Sequence, residues 1–126
     1  MNKHWTWNQK TMPFDVSEAG CMNRLLNALG GLRNDLAGFR REQDADALLS
    51  CHCGILQAFF DGVFGDGAGE QLCGTVLSAE VYSRAYIDFM DFVNGQIDEL
   101  NRLRKEAEEK YLARAAALGL NTECAV

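Results

Sequence analysis

Phe59-Phe60-Asp61-Gly62-Val63-Phe64-Gly65-Asp66-Gly67-Ala68-Gly69-Glu70 joins a broad apolar segment to a glycine-rich turn. Upstream of it, Ala47, Leu48, Cys51, Ile55, Leu56, Phe59, Phe60, Val63 and Phe64 recur at helical spacing and form a face wide enough to be buried on more than one side. Four glycines between Gly62 and Gly69 then stop the helix and force a turn. Glu70-Gln71-Leu72-Cys73-Gly74 fits one helical turn that closes the loop. This stretch therefore reads as a tight loop between two buried helices.

Two helices flank it. Before it, Met22, Leu25, Leu26, Leu29, Leu32, Leu36 and Phe39 repeat at intervals of three and four, with Asp15 or Ser17 as the cap. Gly30-Gly31 predicts a kink there or the close approach of another element. Polar Arg40-Arg41-Glu42-Gln43-Asp44 connects to a second helix starting near Asp44 or Asp46. After the loop, Ser78 caps a third helix, with Leu77 stapled against Tyr82. Its apolar residues run from Val81 to Leu100, no proline interrupts it before Leu118, and Gly119 stands at its C-terminal end. Forty residues of helix measure roughly 60 Å, so either Gly95 breaks it or its second half projects.

At the N-terminus Trp5 and Trp7 alternate with Thr6, and Asn8-Gln9-Lys10 offers a turn before Thr11 and Met12. A short β-hairpin is expected, with Pro13 at an edge and the tryptophans against helices, since two strands are marginal alone. The fold class expected is mainly α: an N-terminal β-hairpin, then three main helices, the last one long. Residues 1–95 form the compact domain and 96–126 a helical extension.

Composition excludes several function classes. The chain has 126 residues, 48% of them hydrophobic, which fits one folded domain and argues against disorder. Eighteen acidic residues against twelve basic ones give −6, so nucleic acid and anionic membrane are poor partners. No apolar run reaches the roughly 18 residues of a membrane span, and Met1-Asn2-Lys3-His4-Trp5 does not open a signal peptide. A cytoplasmic protein with reduced thiols is expected, its five cysteines being Cys21, Cys51, Cys53, Cys73 and Cys124.

Candidate chemistry is thin. Cys51-His52-Cys53 invites a metal or redox reading, but on a helix Cys51 and Cys53 diverge by about 200°, and Cys51 falls on the apolar face beside Leu48 and Ile55. Gly65-Asp66-Gly67-Ala68-Gly69 lacks the Lys-Ser/Thr end of a phosphate loop, and Val63 and Gly65 stand where a calcium loop places oxygens. No enzyme, cofactor or metal is expected. Beyond Gly95 the apolar stripe narrows to Ile97, Leu100, Leu103, Ala107, Tyr111 and Leu118 beside Asp98, Arg102, Glu106 and Lys110 at spacing of four. Such an edge suits a partner or a second copy, or else a solvated terminal helix; Arg104 and Arg114 on the seam weaken a coiled coil.

The segment from Phe59 to Glu70, with Leu72-Cys73-Gly74 and Ala85-Tyr86-Ile87-Asp88-Phe89, resembles small tail-assembly proteins of siphophages and prophages of low-GC Gram-positive bacteria. Their pattern is Phe-Phe-Asp-x-x-Phe-Gly-(Asp/Glu)-Gly, a short turn ending in Gly, and an aromatic, acidic helix. The resemblance covers roughly residues 5–97. Cys73 replaces a large apolar residue, and the tail from Gln96 is longer. The resemblance implies a non-enzymatic tail-assembly chaperone that binds a tape-measure or tail-tube protein in the bacterial cytoplasm. Phe59, Phe60 and Phe64, with Ile97, Leu100, Leu103, Ala107 and Tyr111, are the expected partner-binding residues, the latter five also serving self-association. The alternatives are a phage-encoded adaptor or inhibitor of a host complex, and a small Cys/His metal or redox protein.

Overall fold

The structure, a computed structural model, describes residues 1–39 and 45–119. Two strands, β1 (His4–Trp7) and β2 (Lys10–Pro13), precede four helices: α1 (Ala19–Phe39), α2 (Ala45–Phe64), the short α3 (Ala68–Cys73) and α4 (Ala79–Ala117). The expected fold class holds: mainly helical, with an N-terminal hairpin and a long last helix. The expected connector Arg40–Asp44, Cys124 and the end of the extension from residue 120 lie outside the described residues. No helix among those described is long and apolar enough to cross a membrane.

The hairpin is tight because its turn is only Asn8-Gln9, both with positive φ (50° and 64°). Two consecutive left-handed residues match the strand twist, and Asn tolerates that conformation well. Trp5 pairs with Met12 and Trp7 with Lys10 in the antiparallel register. That register sends Trp5 inward, where it is 2% exposed. Its ring lies parallel to Phe60 and Phe64 of α2, with centroids 5.8 and 6.0 Å away, and tilts against Phe89 of α4 at 4.9 Å. The indole Nε1–H donates to Asp88 Oδ2 at 2.8 Å, so the polar end of a buried ring has its acceptor.

A second tie holds the same segment to α4. Gln96 is the buried polar residue of the core. Its Oε1 accepts from the Val16 amide at 3.0 Å, and its Nε2 donates to the carbonyls of Phe14 and Asn2 at 2.6 and 2.7 Å. One side chain thus satisfies the backbone on both sides of the hairpin where it meets the helix, groups that would otherwise be buried without partners.

The helices start where the residues provide caps. Asp15 accepts from the backbone and hydroxyl of Ser17, holding the turn that leads into α1 rather than capping its first residue directly. The Glu18 carbonyl then accepts from the Met22 amide, which begins the helical ladder. Ser78 caps α4 as expected, its Oγ accepting from the Val81 amide at 3.3 Å. Leu77 keeps 53% of its surface in solvent while Tyr82 is fully buried, so the cap rather than the expected staple fixes this end. Two alternatives left open at glycine positions are narrowed. Gly30-Gly31 sits inside continuous α1, and a Cβ at either position would meet nothing within 4 Å, so no close approach of another element requires glycine there. Gly95 does not break α4, which runs unbroken for 39 residues, about 58 Å. The i→i−4 bonds on either side carry a single glycine at a cost of only about 1 kcal/mol.

Because the core ends near Val93 and Gln96, the second half of α4 extends past it. Tyr82, Ala85, Phe89, Val93 and Gln96 are buried at successive turns, and beyond them Ala115 alone of α4 is buried. Replacing Gln96 with Leu leaves the Val16 amide and the Phe14 carbonyl buried and unpaired. Each such group costs about 1–3 kcal/mol, so urea unfolding of Gln96→Leu is expected to show a loss of about 2 kcal/mol or more, and an unchanged midpoint would refute the role given to this residue.

Candidate partner-binding surface

α2 carries the residues with the most chemistry, and the helix separates them. Cys51 is exposed and Cys53 is buried at 1% exposure. This reverses the expectation for Cys51: it lies about 40° from buried Ile55 but is itself exposed, while Cys53 joins Leu56, Phe60 and Val63 on the covered face. His52 turns toward α4, with Nε2 at 2.9 Å from Ser83 Oγ. Among the described residues no three His, Cys, Asp or Glu side chains converge as a metal site.

Cys53 and Cys73 lie in the core beside Tyr82, whose buried hydroxyl has no hydrogen-bond partner among the described residues. Burial pushes the Cys73 thiol up to about 11, with the neighbouring Cys53 adding to the shift, and burial also raises Cys53. Burial, and then the two thiols, raise Tyr82. Thiols held protonated are poor nucleophiles and poor ligands. They act here as small apolar fillers between α2, α3 and α4.

The glycine loop is built for closure. Gly67 adopts a left-handed φ of 86°, and the Asp61 carboxylate accepts from the Gly69 amide at 2.8 Å, using the loop's first acid to start α3. A Cβ on Gly69 would sit 2.8–3.0 Å from the Cγ, carbonyl oxygen and Cα of Gln57. Only glycine lets α3 press against the backbone of α2 this closely. The tight-loop reading of Phe59–Glu70 is therefore what the geometry supports.

The same packing relocates part of the expected binding surface. Phe59 and Phe60 are 2% and 0% exposed, and half-buried Phe64 stacks on Trp5 and meets Phe89 edge-on at 5.3 Å. Phe59 and Phe60 are core, because the broad face of α2 is covered by α1, α3 and α4, with Trp5 of the hairpin on Phe60. Of the distal set, Ile97 and Leu100 pack partly against the edge of the core. Leu103 and Tyr111 are 44% and 58% exposed, and Ala107 is exposed as well. Leu112, also on this part of α4, is 46% exposed.

A surface absent from the sequence reading lies between α1, α2 and α4. Leu32 and Leu36 from α1, Ile55 and Leu56 from α2, and Tyr86 and Ile87 from α4 line an apolar groove of about 240 Å³, with His52 and Ser83 as its polar groups. Ile87 is 59% exposed at its rim. Its signal in the sequence is an apolar residue about 160° from the middle of the main stripe of α4, which has no reason to be there if only the core face matters. Tyr86 meets Phe59 edge-on at 5.1 Å, so the floor of the groove is anchored to the core.

With this geometry in place, comparison with known proteins adds one relation. The chain belongs to the family of unknown function DUF6673, which it matches over residues 8–118. That span contains α1–α4, the loop, the groove and the projecting part of α4. No curated protein and no solved structure matches it.

Two measurements check the local chemistry. Gly69→Ala is expected to lower stability by about 2 kcal/mol or more through overpacking, whereas Gly67→Ala meets open space and carries only the left-handed strain of about 1 kcal/mol. Equal losses would contradict the close approach. For the thiols, the folded state holds Cys73 protonated while the unfolded chain ionises near 9, so stability is complete below pH 9 and falls as pH rises toward about 11. A stability profile flat from pH 8 to 11 would contradict this.

Proposed function

We propose that this member of DUF6673 is a non-enzymatic chaperone-like binding protein for a phage tail structural protein, a tape-measure or tail-tube client. The observation that carries the reading is the apolar groove between α1, α2 and α4. Its walls are aliphatic and aromatic, its rim exposes Ile87, and its floor is fixed to a rigid aromatic core. Such a surface takes the apolar face of an amphipathic helix, read as anchors at i, i+3 or i+4, and i+7. A contiguous apolar patch rimmed by polar groups is a common form of protein-binding site. The likeness of Phe59–Glu70 and Ala85–Phe89 to the tail-assembly proteins supplies the identity of the client. The chemistry of α2 is consistent with binding rather than catalysis, since its buried thiol and that of α3 stay protonated and its loop carboxylate is engaged by a backbone amide.

On this reading the client lies in the groove rather than on Phe59 and Phe60, which are inside the core. The working role is simple: cover an apolar helical segment before assembly and release it to a stronger competitor, with no covalent step.

Co-expression with a helical tape-measure fragment from the same phage or prophage tests this. The fragment is expected to become soluble and to co-purify with the wild-type chain. Ile87→Asp, a rim substitution, is expected to weaken that binding tenfold or more with circular dichroism unchanged. A client that ignores the wild-type chain, or that binds Ile87→Asp equally, refutes the reading. Capture of a host complex in place of any tail component would favour the adaptor or inhibitor alternative.

A further inference from the structure

The projecting part of α4 has a charge balance unlike the rest of the chain. Residues 98–118 contain five acidic and five basic side chains and are neutral, while the remaining residues carry the whole net charge of −6. Its apolar residues also continue a face already in use. At about 100° per residue, Leu100, Ala107, Tyr111 and Leu118 lie within about 40° of Val93, the last residue but one of the buried α4 row. The face that α4 turns to its own core thus runs on along the arm beyond the end of that core. Tyr111 and Leu118 keep 58% and 57% of their surface in solvent, while Ala115, about 40° from Val93 on the same face, is 2% exposed.

The two arginines on this face decide which pairing suits it. In a parallel pair in register, Arg104 and Arg114 would each meet its own like. Laid antiparallel, with the apolar rows facing, Leu100 stands against the partner's Tyr111, and Arg104 crosses the small side chain of the partner's Ala107. Arg104 leans to the same side of the seam as Glu108, and a two-fold axis brings like sides together, so Arg104 reaches the partner's Glu108. Arg114 and Glu99 both lean to the other side, and there Arg114 would share the partner's Glu99 with that chain's own Arg102, which holds it at 2.6 Å. Each contact occurs twice by symmetry, and both arginines that spoil a parallel seam gain an acid.

We infer that the arm pairs with the arm of a second copy of this chain, antiparallel and two-fold symmetric, with Leu100 of each against Tyr111 of the other. The occupant of this face is a second copy because the arm is neutral and its charges match their own reverse. A contact about 30 Å long between two helices falls at the low end of specific interfaces, about 1,000 Å² in all, so the dimer is reversible and concentration-dependent. The pairing involves the arm and its base alone, and it stands whether or not the groove binds a tail protein.

Sedimentation velocity across a concentration series tests it, with circular dichroism confirming that every variant is folded. The wild-type chain is expected to pass from monomer to dimer. The double variant Arg104→Glu, Arg114→Glu is expected to raise the dissociation constant tenfold or more, as is Glu99→Lys, Glu108→Lys. Mixing the two double variants is expected to restore the dimer, because each reversed arm then meets its complement. For the register, chains with Cys51 and Cys124 replaced by Ser carry either Leu100→Cys or Tyr111→Cys. Mild oxidation of the mixture is expected to join the two kinds to each other in preference to either kind with itself. A chain monomeric at millimolar concentration overturns the inference, and so do a dimer indifferent to the charge variants, a mixture that fails to restore it, or preferential joining of Leu100→Cys to itself.

Discussion

Six aromatic rings meet around one of them, Phe89, and the rest of the fold is arranged so that they can. Phe89 contacts Trp5 and Phe14 from the hairpin segment, and Phe59, Phe60 and Phe64 from α2, at centroid distances between 4.9 and 6.1 Å. Edge-on and tilted pairs of this kind add about 0.5–1.5 kcal/mol each beyond the area they bury. The cluster also explains why a two-stranded hairpin persists. Its own hydrogen bonds would leave it marginal, and Trp5, held by three phenylalanines and by Asp88, makes it part of the helical core.

From that constraint the two outward surfaces follow. With α2 covered by α1, α3 and α4 and by Trp5 of the hairpin, the apolar residues left over are those off the main faces. Ile87, Leu36 and Tyr86 gather into the groove. The helix that carries Phe89 is much longer than the core it serves, so its second half leaves that core with Tyr111 and Leu118 largely in solvent. On the proposed reading the head and arm divide the work: one would offer the groove to a client, the other a neutral edge to a second copy. A chaperone-like protein that pairs through its arms would present two grooves to one long client, and two linked sites hold a partner more tightly than either alone.

Much of this was legible in the sequence, for identifiable reasons. The 3.6-residue period of α1, α2 and α4, the glycine cluster after Phe64, the Ser78 cap and the Trp5–Trp7 alternation are local signals, and each element forms where they place it. What failed was the part that depends on which side of a helix meets which neighbour. Cys51 and Cys53 both border apolar positions, and only the packing of α3 and α4 selects Cys53 for the interior. Phe59 and Phe60 read equally well as a binding patch or as core until the hairpin is folded onto them. The groove is assembled from three helices, so no single window of sequence contains it. Gln96 read as the start of the extension, whereas it closes the core, because its three backbone partners come from positions 2, 14 and 16.

Central to all of this is the groove, which, rather than the loop or the thiols, is where the protein is proposed to meet its client. Hydrogen–deuterium exchange of the full chain with and without a tape-measure helix measures this most directly. Added protection is predicted in the α1, α2 and α4 segments around Leu32–Leu36, His52–Leu56 and Ser83–Ile87, with the Gly65–Gly69 loop unchanged. Binding that protects the loop or the hairpin while leaving those three segments as they were would contradict it.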